Sequence, residues 1–375
     1  MRSVCICFQV HHPYHTRWYQ PGEGYTRELE LDLYFDMHKN FVSFSNLCKA
    51  SYHPAVNALL TTIGKHDSKY AVNMSGIFLE QCRWNPDITA LFKELASTGN
   101  VEFICSPYYN SISSLFKNVT FFEEQVIMHK NKMRELFELD TTIFMNSDLL
   151  CTPAIESMCC AMGFSGMVTE GAGKLLNGRQ PTGVFSNKGL SVLTRHIDLS
   201  EDIEKRFSTK TWVGYPLIPE KFASWISKMD GDVTLLHIDC ATFGGHYDAG
   251  TKIFDFFEQL PVQLEKKNID LITPSEAIQR FDAVKLPGLQ TETVVKYGMS
   301  NLLGNHMQHL YFHELNELGR YVGGDRTFQE IFGYLQQVDI LSSMNSRNAP
   351  MSFEMAVNNF SILSDFKRRL ILEGA

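Results

Sequence analysis

The sequence predicts an α/β protein, a distorted (β/α)7 barrel followed by a C-terminal helical bundle. Three observations lead there. Short β-branched runs recur, each followed by a helical pattern, and alternation of this kind builds a parallel sheet that seven or eight units close into a barrel. The strands stop near residue 290, and only amphipathic helices follow. Finally, acids, histidines and tyrosines gather where the strands end.

The expected strands are residues 4–10, 70–74, 101–105, 142–145, 166–169, 191–195, 233–238 and 270–273. Helices are expected at 86–97, opened by "NPD" and closed by Gly99, and at 121–136, 153–162, 200–207, 219–229 and 253–266, with apolar positions at helical spacing. Residues 301–322, 325–344 and 353–372 form three further amphipathic helices. This divides the chain into a barrel domain, 1–283, and a helical region, 284–375, packed on it, with 283–298 as the connection.

Bulk properties narrow the function classes. The chain has 375 residues, 44% hydrophobic and 20% charged, enough for a substantial core and too few charges for disorder to dominate. A net charge of −8 excludes the concentrated basic face of a nucleic-acid binder and suits a neutral partner. No run approaches the roughly 18 to 20 apolar residues that span a bilayer. "MRSVCICFQVHHPY" alternates and lacks a small-residue cleavage site, so a first strand is expected, not a signal peptide. Nine cysteines without CxxC spacing suggest reduced, buried thiols and a cytoplasmic location.

In a β/α barrel chemistry sits at the C-terminal strand ends. Strand one closes on "HHPYH" (His11, His12, His15), the third on "CSPYYNS" (Tyr108, Tyr109), the fourth on "NSD" (Asp148), the fifth on "TEGAG" (Glu170) and the seventh on "HIDCATFGGH" (His237, Asp239, His246). Asn, Ser and Asp also end strands for structural reasons, through bonds to their own backbone. Two carboxylates on different strands, however, are what glycoside hydrolysis requires: one acid to protonate the leaving oxygen and one carboxylate to attack or to activate water. A metal held by His11, His15, Asp239 and His246 is an alternative, although Pro13 denies His11 and His15 the helical i, i+4 geometry.

These motifs resemble glycoside hydrolase family 57, in its α-amylase-like branch. "FQVHHPYHTRWY" is similar to that family's opening His-Gln-Pro motif, with His11 on its His and His12 in place of its Gln. "NMSGIFLEQ" resembles its second region, and "GNVEFICSPYYNSISSLF" a segment that ends Gly-Glu-Thr-Tyr-Tyr-His-Ser-Leu. "FMNSDLL" aligns with Arg-Asn-Thr-Glu-Leu, whose Glu is the nucleophile, and "HIDCATFGGH" with Asp-Tyr-Glu-Thr-Phe-Gly-Glu-His, whose Asp is the acid/base. Similarity continues through "RFSTKTWVGYPL", "ITPSEA", "LLGNHMQ", "LQQVD" and "SILSDFKRRL".

The resemblance implies retaining chemistry on an α-glucan or maltooligosaccharide, with no cofactor and no metal. It puts Asp148 in the nucleophile's place and Asp239 in that of the acid/base. His11, Tyr109, Glu170, Trp212, His246 and Asp339 fall at sugar-contacting positions, Trp212 as a stacking face. The sequence also departs from the family: Met145 stands for its Arg, Ser106 for a Glu, Asn110 for a His, Ala241 and Gly245 for two Glu, and His306 for another. Asp is a methylene shorter than Glu, roughly 1.5 Å, and a displacement of about 1 Å can cost a hundredfold in rate. An α-glucan hydrolase or glucanotransferase, a non-catalytic relative that binds glucan or a partner enzyme, and the metal-dependent barrel are the readings left open.

Overall fold

The computed structural model describes residues 2–286, 293–345 and 351–373. Among these residues ten strands are formed: β1 (Arg2–Val10), β2 (Tyr70–Met74), β3 (Val101–Ile104), β4 (Ile143–Met145), β5 (Gly166–Glu170), β6 (Val184–Asn187), β7 (Leu190–Arg195), β8 (Val233–Asp239), β9 (Ile269–Leu271) and β10 (Val284–Lys285). Seven of them close a ring of parallel neighbours. β8, β1, β2 and β3 pair in that order, β4 pairs with β5, β5 with β7, and β7 with β8. The β3–β4 seam is a single parallel bridge, Cys105 to Phe144, with Cys105 N–H on the Ile143 carbonyl at 2.9 Å and Met145 N–H on the Cys105 carbonyl at 2.8 Å. The β7–β8 seam is equally thin, one register pair between Arg195 and Leu235. These two thin seams are the distortion of the (β/α)7 barrel.

Period-two alternation sorts each strand's side chains between the lumen and the helices. Cys5, Cys7, Ala71, Ile104, Ile143, Met145, Val168, Leu193, Val233 and Leu235, drawn from all seven strands, pack on one another inside the ring. Several are small, as a narrow lumen requires. The other faces of β1, β2, β3 and β8 (Val4, Ile6, Phe8, Tyr70, Val72, Phe103, Leu236, Ile238) meet one helical layer. Those of β4, β5, β6 and β7 (Phe144, Met167, Phe185, Val192) meet a second core that also contains the C-terminal helices.

Proline marks the helix starts: Pro86–Ser97, Pro153–Ala161, Pro219–Ser227 and Pro274–Arg280 each carry it in the first turn, where its missing N–H costs nothing. Three features differ from the sequence reading. Helices Met37–Leu47 and His53–His66, joined by a π-turn at Cys48–Tyr52, fill the stretch between β1 and β2. β6 is an extra antiparallel strand on β7, and β10 extends it. The helix expected at 325–344 is two, Arg326–Leu335 and Val338–Ser343. It breaks because the Gln337 side chain leaves the helix to accept Tyr14 N–H at 2.9 Å and donate to the Tyr334 carbonyl at 2.8 Å. Helices His306–Leu318 and Ser352–Glu373 complete the helical region. Residues 287–292 of the expected connection lie outside the described residues.

Candidate active site

Along each lumen face, apolar side chains give way to polar ones at a common level near the strand ends. Cys5 and Cys7 are succeeded by Gln9 and His11, Val168 by Glu170, Leu193 by Arg195, and Leu235 by His237 and Asp239. Above this level lies a cavity of about 260 Å³, lined by residues that include Gln9, His11, Asn110, Asp148, Asp239, His246 and Asp339. It thus unites His11, Asp148, Asp239, His246 and Asp339, brought from positions as far apart as β1 and Val338–Ser343.

The β4 end shows how one polar cluster divides its labour. Asn146 makes the turn: its amide donates to Ser114 Oγ at 2.9 Å and to the Leu150 carbonyl at 3.0 Å, and its Oδ1 accepts Ser147 N–H. Asp148 and Leu149 follow with φ of 48° and 54°, left-handed conformations that non-glycine residues seldom adopt. Asp148 is thereby carried to the cavity wall. Burial pushes its carboxyl up to about 6, and nearby Asp339 adds to the rise, while Lys296 and His11 oppose it.

Asp239 closes β8 with its Oδ1 on Ala241 N–H at 2.9 Å. Its pKa is raised, principally by burial, against the pull of the Ala241 N–H and of Lys296. Across the cavity, His11 is gripped from both sides, Nδ1 with Ser75 Oγ at 2.8 Å and Nε2 with Asp339 Oδ2 at 3.0 Å. Asn110 donates to the same Asp339 oxygen at 3.3 Å. Burial works against the Asp339 charge, but His11, a main-chain N–H and Asn110 together outweigh it and hold this carboxyl below the usual range. His246 stands exposed on the rim, its main-chain N–H on the Ala241 carbonyl at 2.8 Å.

Three candidate residues lie elsewhere. Glu170 is buried beside the cavity in an ion pair with Arg195 at 3.1 Å. Tyr109 is buried between Tyr108 and Tyr334, with ring centroids at 5.2 and 5.0 Å. Trp212 packs edge-on against Trp225 at 6.0 Å, with Arg206 over its ring. His15 also turns away from the cavity, toward His12. Among the described residues no group of three or more His, Cys, Asp or Glu is placed to hold a metal ion.

Sequence reasoning overlooked a charged layer behind Asp239. Glu204 Oε1 accepts Asp239 N–H at 2.8 Å and Lys296 Nζ at 3.2 Å, and Glu204 Oε2 accepts Arg195 Nη2 at 2.9 Å. Burial opposes the Glu204 charge, but Lys296 and Arg195 prevail and keep its pKa low. Arg195 was signalled by its lumen spacing on β7, and Glu204 by an acid on the inward face of a short helix, Ile197–Glu204. Lys296 lies in the connection, where no pattern marks it.

One departure from the family pattern, Gly245, is built into the backbone. A Cβ on Gly245 would stand 2.5 Å from the Ala241 carbonyl oxygen, and one on Gly244, at φ +90°, 1.8 Å from that of Ala50. The loop after β8 is thus seated on the π-turn at Gly244, while its own tight turn leaves no room for a side chain at 245. Met145 lies among the lumen's apolar side chains, and the buried Ser106 hydroxyl has no partner among the described residues.

A ring of seven parallel strands with carboxylates at the C-terminal mouth, followed by a helical region, defines the class of (β/α)7 barrels found in glycoside hydrolases. Residues 5–292 match the model of Glycosyl hydrolase family 57, and the chain belongs to that family. A Methanocaldococcus jannaschii relative that carries the name Putative alpha-amylase is 28% identical over 372 residues, 95% of this chain and 79% of its own. In fold the chain is similar to the family 57 branching enzyme of Pyrococcus horikoshii (TM-score 0.71, 11% identity, 98% of this chain and 89% of that one). It is also similar to the 4-alpha-glucanotransferase of Thermococcus litoralis (TM-score 0.58, 18% identity, 95% and 54%). None of the described helices is long and apolar enough to cross a membrane.

Proposed function

We propose that the protein acts on α-glucans by double displacement, as a hydrolase or glucanotransferase, with Asp148 as nucleophile and Asp239 as acid/base. The observation that carries this reading is the shared cavity. Two carboxylates from the ends of β4 and β8 line one small polar chamber beside the His11–Asp339 pair. Asp239, its pKa raised by burial, gives its proton to the glycosidic oxygen as the Asp148 carboxylate bonds to the anomeric carbon and the C–O bond to the leaving sugar breaks. Asp239, now ionised, takes a proton from water or from an acceptor sugar's hydroxyl, whose oxygen displaces Asp148 and restores both groups. Asp339, kept ionised, and His11 are placed to hydrogen-bond sugar hydroxyls. His246 on the rim is assigned to the same subsite, and the positions of Tyr109, Glu170 and Trp212 suit supporting roles better than direct contact.

The test is incubation with maltooligosaccharides, following both reducing ends and longer transfer products. Turnover with retention of anomeric configuration, abolished by Asp239→Asn, is expected. Absence of any product from pure protein would refute the catalytic reading. The lumen Met145 and the space-filled Gly245 favour a second reading, a glucan-binding relative without turnover. That reading requires calorimetric binding of an oligosaccharide that survives Asp148→Ala.

A further inference from the structure

Lys296 is buried, at 6% exposure, the only lysine so placed among the described residues, and it lies beyond the stretch matched by the family model. Burying an ammonium is costly unless it is paired, so its position calls for a reason. Its main-chain N–H donates to the Asp148 carbonyl at 2.7 Å, and its Nζ reaches Glu204 Oε1 at 3.2 Å. That carboxylate oxygen also accepts the main-chain N–H of Asp239 at 2.8 Å.

We propose that Lys296 is a positioning residue of the site: it ties the Asp148 turn to the Asp239 strand end and supplies the positive charge that Met145 does not. The proposal rests on reading Asp148 and Asp239 as the reacting pair. The turn at Asp148 has two consecutive left-handed residues, so its carbonyl has no neighbouring strand to bond to, and Lys296 provides the donor from outside. On the other side a single carboxylate, Glu204, couples the ammonium to the acid/base backbone. The Met145 side chain lies among apolar residues and brings no charge to the β4 end, whereas Lys296 lines the cavity with both aspartates.

The charged groups that face this ammonium come from every element packed on it. They are Glu204 and Lys205 at the end of the Ile197–Glu204 helix, Glu170 on β5, Arg195 on β7, His237 and Asp239 on β8, Asp148 after β4, and the neighbouring Tyr297, whose ring centroid lies 5.1 Å from Nζ. His11, His246 and Asp339 complete the wall. Arg195 is offset by Glu170 and Glu204. Lys296 shares Glu204 with it, and is the cation common to both reacting carboxyls.

The test compares wild type, Lys296→Met and Lys296→Arg. The Asp148 carboxyl is titrated by ¹³C NMR, and kcat/KM on a maltooligosaccharide is followed against pH. Loss of the cation is expected to move the Asp148 midpoint upward by about one pH unit, with a roughly tenfold loss of kcat/KM near pH 5, below both midpoints, and about twofold at pH 7. The arginine variant is expected to restore both. Lys296→Gln, which keeps a donor for Glu204, replaces the methionine variant if that one does not fold. An unmoved midpoint in a folded neutral variant, or no recovery in the arginine variant, overturns the proposal. A moved midpoint in a protein that turns over no α-glucan upholds Lys296 and overturns the glycosidase reading instead.

Discussion

Asp148 carries two opposed predictions. Its carboxyl is raised by burial and by Asp339 to about 6, and a nucleophile must be ionised, so kcat/KM should climb as pH rises through about 6. An acid limb near 4 in the pH profile would contradict the environment described. For stability the sign reverses. A folded pKa above the ordinary 3.8 means that this group favours the fold most at low pH, and the contribution is lost as pH rises from about 4 through 6. Asp148→Asn should therefore abolish turnover yet stabilise the protein by about 1–3 kcal/mol at pH 7.5, with no gain at pH 4, in urea unfolding. Equal midpoint shifts at both pH values would refute it. Asp148 was legible because Asn-Ser-Asp breaks an apolar strand. Lys296 was not, since a single charge in a connection has no pattern of its own, and only the closed ring reveals what it faces. Arg195 invites a third prediction. It is fully buried between Glu170 and Glu204, so Arg195→Met strands two carboxylates and should cost about 3–5 kcal/mol. Loss below about 1 kcal/mol would mean that the network is solvated in solution.

Elements were legible where local chemistry and tertiary role agree. The barrel strands are apolar runs bounded by polar turns, and X-Pro pairs mark four helix starts, so their order followed from the chain. β6 escaped notice although its signal is present: Lys188 and Gly189, at φ 49° and 90°, form a two-residue hairpin turn to β7. The paired helices between β1 and β2 also escaped, although Pro54 marks the start of the second, because a π-turn carries one helix into the next without a break. That π-turn matters to the site, because it is the seat of the loop after β8. The Ser51 hydroxyl donates to the Cys240 carbonyl at 3.0 Å, and Gly244 lies against the Ala50 carbonyl at a distance only a hydrogen tolerates. Gly244→Ala must therefore lift the loop that links Asp239 to His246. A loss of about 2–4 kcal/mol is expected, together with a fall in turnover larger than the fraction unfolded explains. A variant within about 0.5 kcal/mol of wild type, with full activity, would show that the loop is seated by something else.

At the scale of the whole molecule, the helical region is part of the site rather than an appendage, since Asp339 reaches His11 only if Val338–Ser343 is docked. The seam is specific. The Tyr109 ring lies against Gly333, where a Cβ would stand 2.2 Å from the ring, and the Tyr108 and Tyr334 hydroxyls both donate to Glu80 from opposite sides of the boundary. Gln125 and Gln336 bridge the seam at 2.9 Å, and one apolar core runs from Phe144 and Met167 of the barrel to Phe332 and Phe366 of the helices. A shared core of this kind should unfold in one step. The chain supplies its own test, because all four tryptophans, Trp18, Trp84, Trp212 and Trp225, precede residue 283 and report chiefly on the barrel, whereas far-ultraviolet circular dichroism includes the C-terminal helices. Gly333→Ala forces the Tyr109 ring away and should cost about 1–3 kcal/mol. If barrel and helices share one core, the fluorescence and dichroism transitions will move together and remain coincident. If the helices instead melt at lower denaturant while tryptophan fluorescence is unchanged, the two parts are separable, and Asp339 would be lost from the cavity before the barrel opens.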